Sequence, residues 1–223
     1  MNAENDGSPR PAMGTDRLIE ILAKDAGVRT RFGGTILKAA AFGVIAAAAF
    51  YLAMLHPRPD LETVVRTTRV LFKFIVTVPL AVATIGLLDR IGRPAAPLGI
   101  WPWLLGGVGA VLAVGVGIEL AMLPPAEWAT RLVGTNARYC LLFIPLIAIG
   151  PLVCFIAALR QGMPTRPGLA GAAAGVASAA IAAALYATHC PDDSPLFVAT
   201  WYTLATGIVA TCGYFAGRRF LRT

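Results

Sequence analysis

The sequence predicts an all-α, polytopic membrane protein: a six-helix transmembrane bundle preceded by a short cytoplasmic amphipathic segment. Three observations carry that reading. Of 223 residues, 57% are hydrophobic and only 14% charged, a balance that a soluble domain of this size does not need. The apolar residues gather into six stretches, each near the roughly 20 residues that cross a hydrocarbon core of about 30 Å. Polar or proline-containing breaks separate them, and the basic residues cluster at their ends, which is how membrane topology is encoded. The net charge of +7 is therefore assigned to topology and not to nucleic-acid binding.

Residues 1–14, rich in Gly, Ser, Asn and Pro, carry too little apolar content to fold. From Thr15 the pattern turns helical, with Leu18, Ile21 and Leu22 on one face and Ile19 beside them. Thr15 or Asp16 serves as N-cap and Gly27 as stop, giving a helix over about residues 15–27, with Glu20 and Lys24 as a favourable i,i+4 pair. A helix of about 11 residues falls below the ~12–15 at which an isolated helix is marginal in water, so it needs a surface to pack on. Its apolar face is short and has no aromatic until Phe32, which favours a protein partner over the lipid surface. No apolar core precedes residue 34, so the first span is expected to act as its own insertion signal.

The spans are Thr35–Leu55, Val70–Leu88, Ile100–Leu123, Tyr139–Leu159, Gly168–Thr188 and Pro195–Ala216. This divides the chain into a tail at 1–34, a membrane domain at 35–217 and a basic C-terminus at 218–223. With the N-terminus inside, thirteen of the nineteen basic residues fall on the inner side and five on the outer, leaving Lys73 within a span. The bias places both termini in the cytoplasm. Span five is mostly Ala and Gly, and Gly171 with Gly175 forms a GxxxG pair that lets helices approach closely, so it belongs inside the bundle. Lys73 and Glu119 fall within about a turn of the outer boundary. They read as groups that snorkel to headgroup water or pair with each other, ahead of any transport role.

The chemistry-bearing run is His189-Cys190-Pro191-Asp192-Asp193-Ser194-Pro195, between the last two spans. Cys140 begins span four on the same, outer side. Spans four and five share a short turn at 161–167, so they read as antiparallel neighbours, an arrangement that permits, without showing it, the roughly 7 Å between Cα atoms that a Cys140–Cys190 disulfide needs. Thiolate, imidazole and carboxylate are soft-metal ligands, which makes His189, Asp192 and Asp193 candidate auxiliary ligands or pKa tuners. The spacing matches no closed zinc site, so no permanent metal is expected, only transient heavy-metal binding at Cys140 and Cys190. Sensing pair and static staple are both open on these residues. Cys154 and Cys212, deep in their spans, read as small apolar side chains. There is no Walker loop, GxGxxG, GxSxG, HExxH or CxxC, so no enzymatic activity, resident cofactor or small-molecule substrate is expected.

Several segments together resemble a known family: Asp16-Arg17-Leu18-Ile19 through Ala23-Lys24-Asp25, Arg58-Pro59-Asp60-Leu61, Lys73, and Cys140 ahead of Ile144-Pro145-Leu146. Further on come Ala158-Leu159-Arg160, Pro164-Thr165-Arg166-Pro167, His189-Cys190, Asp193 to Phe197, and Trp201-Tyr202. The chain resembles the NrsF-like six-span inner-membrane proteins, negative regulators of extracytoplasmic-function sigma factors, from about residue 15 to its end. The resemblance implies an anti-sigma factor with such a sigma factor and the bilayer as partners, and no direct DNA binding. It implies that Cys140 and Cys190 sense heavy metal or oxidant. It also gives sigma-factor binding to the N-terminal segment, where Leu18, Ile19, Ile21 and Leu22 are the candidate contacts. The runners-up are a small transporter using Lys73 and Glu119, and a membrane thiol oxidoreductase, which lacks CxxC and a relay pair.

Overall fold

A computed structural model describes residues 15–93 and 96–221. Among them the chain is helical wherever it is regular: α1 (Thr15–Met54), α2 (Leu61–Val64), α3 (Thr68–Ile91), α4 (Trp101–Met122), α5 (Pro125–Val133), α6 (Ala137–Leu159), α7 (Pro167–Tyr186), α8 (Pro195–Phe197) and α9 (Thr203–Phe220), with a π-helical turn over Val198–Tyr202 joining the last two. Six stretches are long and apolar enough to cross a membrane: Phe32–Met54, Thr68–Ile91, Trp101–Met122, Pro125–Leu159, Pro167–Tyr186 and Pro195–Phe220. Large apolar side chains such as Leu37, Phe42, Ile45, Val82 and Val153 point outward from the bundle. A bilayer explains them where water would not, since helices satisfy every backbone group internally and leave apolar side chains for lipid.

The expected helix end at Gly27 is not found. α1 runs unbroken for 40 residues from Thr15 to Met54, so the N-terminal segment and the first span are one rod, roughly 60 Å long at 1.5 Å per residue. One interior glycine costs a helix only about 1 kcal/mol relative to alanine. Propagation from an already formed span avoids the nucleation penalty that made the isolated segment marginal. The side chains of Leu18, Ile19, Ile21 and Leu22 lie outside the described residues.

α7 sits at the centre, packed on α1, α3, α6 and α9. Its Ala-rich faces are buried almost along their whole length, as its small residues predict. Against α9 the approach is backbone on backbone: a methyl group at Gly171 would strike the Gly213 carbonyl, and one at Gly175 would stand 2.5 Å from the Val209 carbonyl. α9 thus answers the Gly171/Gly175 pair with Gly213 and Gly217, spaced by four as well. α1 lies on α6 in the same manner, with Gly43 against Pro151 and Gly150 against Ala46. α4 is peripheral; Glu119 is its one buried residue.

At the end of the bundle where α3 finishes and α7 begins, the Phe32 ring of α1 fills a slot made by two glycines. Gly92 follows α3 and Gly162 follows α6, and a Cβ on either would collide with the ring. The Met163 amide closes the slot by donating to the Gly92 carbonyl at 3.1 Å. The remaining end holds the cysteines.

Candidate functional site around Cys140 and Cys190

The segment between α7 and α8 is short, and its backbone is fixed by what precedes it. The amides of His189 and Cys190 both donate to the Tyr186 carbonyl at 3.0 Å, closing the helix before Pro191 ends it. Cys190 is turned inward and has no exposed surface, as has Cys140 four residues into α6. Both belong to the core that also holds Tyr186, Phe197 and Tyr202, and Cys140 lies near enough to Cys190 to feel a charge on it. Both thiols are free. The structure places Cys140 and Cys190 at the same end of the bundle, where Asp192 accepts the Asn136 amide and the Asn136 carbonyl accepts that of Cys140. Cys154 is half-buried and Cys212 exposed.

His189 beside Cys190 suggested a depressed thiol pKa, and here the structure differs. Burial dominates and pushes the Cys190 thiol up to about 11, although Lys73 and the Asp192 backbone pull the other way. Removing a thiolate from water outweighs one nearby cation in this site. The Tyr186 hydroxyl stands beside the Cys190 sulfur, and the Tyr202 hydroxyl is buried without a hydrogen-bond partner.

The polar groups of the loop reach α1, α3, α4 and the turn before α6. His189 Nδ1 lies 2.7 Å from the His56 carbonyl, and Thr188 Oγ1 2.6 Å from the Tyr51 hydroxyl, which ties the loop to the end of α1. The Asp192 carboxylate accepts the amides of Thr135 and Asn136 at 3.0 and 2.7 Å, anchoring the start of α6. Asp193 accepts from Arg58 at 3.1 Å and pairs with Lys73 Nζ at 2.5 Å. Lys73 also donates to the Cys190 carbonyl at 2.8 Å. Ser194 Oγ and the Leu196 amide donate to Glu119 Oε2 at 2.7 and 2.9 Å, so a carboxylate from α4 caps the last span. An anion there satisfies amides that have no partner within the helix and complements its dipole.

These contacts revise two expectations. His189, Asp192 and Asp193 were candidate ligands, yet each is held by a structural partner. Among the described residues no group of three or more His, Cys, Asp or Glu side chains is arranged to hold a metal ion. Lys73 and Glu119 neither snorkel nor pair with each other. Lys73 is wholly buried, and Glu119 has Arg69 as its counter-ion at 3.8 Å. The sequence signalled that Lys73 and Glu119 are unusual, as ionisable residues inside spans, but not which residues they meet.

The family model described as "NrsF: Negative regulator of sigma F" matches residues 22–222. The chain is 35% identical over 220 residues to the "Anti-sigma-F factor NrsF" of Caulobacter vibrioides, covering 94% of this chain and 100% of that relative. It is 31% identical over 216 residues to the "Probable anti-sigma-F factor NrsF" of Azospira oryzae, again across 94% of this chain and 100% of the relative. No solved structure matches it.

Proposed function

The chain belongs to the NrsF family of negative regulators of sigma F, and from that premise we propose how its membrane bundle regulates: it holds an extracytoplasmic-function sigma factor at the cytoplasmic face of the inner membrane and lets it go when Cys140 and Cys190 are oxidised or metallated. In this reading the thiol end faces the periplasm, in keeping with the basic residues counted at the other end. The observation that carries it is the loop around Cys190. Two thiols are buried at one end of the bundle, and residues 188–196 around one of them are hydrogen-bonded to α1, α3, α4 and the turn before α6.

α1 supplies the connection to the other face. It is hydrogen-bonded to the loop through Tyr51 and the His56 carbonyl region, packs on the helix that carries Cys140, and continues without a break to Thr15. A disulfide contributes about 2–4 kcal/mol, and turning a two-state equilibrium from 1:99 to 99:1 takes about 5.5 kcal/mol. Thiol chemistry at this site is therefore of the right size to drive most of a switch. A transport role draws no support from the geometry, because Lys73 and Glu119 are held by fixed partners and line no polar route.

The test is co-purification from detergent-solubilised membranes, followed by mass spectrometry, with and without brief cadmium or oxidant treatment. A sigma factor bound at rest and lost on treatment is expected. Retention under both conditions removes these agents as signals, and no soluble partner in either removes the sequestration reading. Replacing Cys140 and Cys190 together with Ser should leave binding intact and abolish release.

A further inference from the structure

Among the polar groups at the thiol end, Lys73 stands apart. Its side chain has no exposed surface, and its ammonium rests on two groups, the Cys190 carbonyl at 2.8 Å and the Asp193 carboxylate at 2.5 Å. Both belong to the loop that carries the thiol. Arg58, which shares Asp193, is placed differently: it also pairs with Asp60, whose side chain is largely exposed, and so keeps a counter-ion whatever the loop does. Glu119 is likewise held by Arg69, which is half-exposed. A displacement of residues 190–193 would leave Lys73 alone as a buried cation without a partner.

Resting on the proposed function above, we infer that Lys73 is the positioning residue through which the bundle reads the state of Cys190. At rest the Cys190 carbonyl and the Asp193 carboxylate neutralise its charge, so the closed loop is the arrangement in which the buried cation is partnered. New atoms on the Cys190 sulfur, or a bond drawing it toward Cys140, shift that backbone by way of the Cα they share. The carbonyl and the carboxylate then move off the ammonium. An unpartnered cation in an apolar interior is strongly unfavourable, whereas replacing both members of a buried pair by uncharged groups is tolerated. The bundle relieves the stress by moving the start of α3, which packs on the central α7. The buried charge thus turns a small loop displacement into an all-or-none response.

This makes an unusual prediction about suppression. Asp193→Asn leaves the ammonium without a counter-charge and should mimic the reacted state. Cys190 should then be alkylated by a membrane-impermeant maleimide roughly tenfold faster or more than in the unsubstituted chain, and the sigma factor should be lost without any agent. Lys73→Met removes the stressed charge, so the Lys73→Met/Asp193→Asn double variant should return both readouts to near the unsubstituted level. A double variant as open as Asp193→Asn alone would overturn the inference and place the control in Arg58, as would an Asp193→Asn chain that stays closed. Should Asp193→Asn fail to accumulate in membranes by immunoblot, Lys73→Met alone decides: its thiols should still react while the sigma factor stays bound, and release at the unsubstituted level would refute the role. The maleimide arm needs no sigma factor. If the unsubstituted chain retains none, the proposed function fails while the Lys73 inference is still judged on thiol accessibility.

Discussion

The Asp192 carboxylate accepts the backbone amide of Asn136 at 2.7 Å. The contact joins the two thiols by the shortest structural route, since Asp192 lies two residues after Cys190 and the Asn136 carbonyl accepts the Cys140 amide at 2.8 Å. Asn136 makes no side-chain cap on α6, and Asp192 holds the chain just ahead of the helix instead. The register of Cys140 against Cys190 therefore hangs on one carboxylate. Asp192→Ala should slow oxidative cross-linking of Cys140 to Cys190 several-fold, because the turn before α6 loses the carboxylate that its amides donate to. Asp192→Asn, which keeps an acceptor oxygen, should fall between. Cross-link yield on non-reducing gels separates the three; equal yields would mean the register is set elsewhere.

The buried thiol carries a pH signature. Burial moves Cys190 from an ordinary value near 9 up to about 11, and the thiolate is the reactive form. In a Cys140→Ser background, alkylation of Cys190 in native membranes should keep rising by about tenfold per pH unit from 8 to 10, where an unperturbed thiol near 8.5 would level off. The same shift sets the sign of a stability effect. A group whose folded pKa is raised contributes stability that is present below about pH 9 and is lost as pH rises toward 11. Thermal denaturation in detergent should therefore show Cys190→Ser losing less stability than the unsubstituted chain across that window.

Phe32 is the joint at the opposite end. Its ring is buried between Gly92 and Gly162, which belong to the two turns flanking α3 and α6, so it fixes the angle at which α1 leaves the bundle. A side chain at Gly92 must evict the ring. Gly92→Leu should weaken retention of the sigma factor several-fold while leaving Cys140–Cys190 cross-linking unchanged, because the thiol end keeps its own bonds. Cross-linking lost together with retention would show global misfolding and not a displaced joint.

The bundle and its cysteine end were legible in the chain for distinct reasons. Apolar run length reports span number directly, and alternation of spans places Cys140 and Cys190 on one side whatever the packing. What stayed hidden depends on side-chain partners across helices. Nothing in local sequence links Glu119 to Ser194 or Lys73 to Asp193, because each pair is brought together by the bundle, and a boundary position looks the same whether a residue reaches for lipid headgroups or for a loop. Gly27 misled in the opposite direction. A stop signal was read from one residue, whereas the continuity of α1 is decided by the span that follows. The Gly213/Gly217 pair carries the same spacing as Gly171/Gly175 and becomes informative only once α7 and α9 are known to be in contact.

That continuity sharpens what the N-terminal contacts should do. Leu18 and Leu22 sit one turn apart on a helix with no break between them and the span that touches the cysteine loop. On the proposed reading these positions contact the partner, so a charge placed there should act on binding alone. Leu18→Asp/Leu22→Asp should free the sigma factor without any agent, lowering the amount that co-purifies by tenfold or more, an effect of about 1.4 kcal/mol at the least. Membrane level and Cys140–Cys190 cross-linking should stay as in the unsubstituted chain, since both depend on residues beyond Phe32. Undiminished co-purification would move the contact to the turns at the same face, where Arg90, Arg160 and Arg166 lie, and the same assay on charge reversals there would find it.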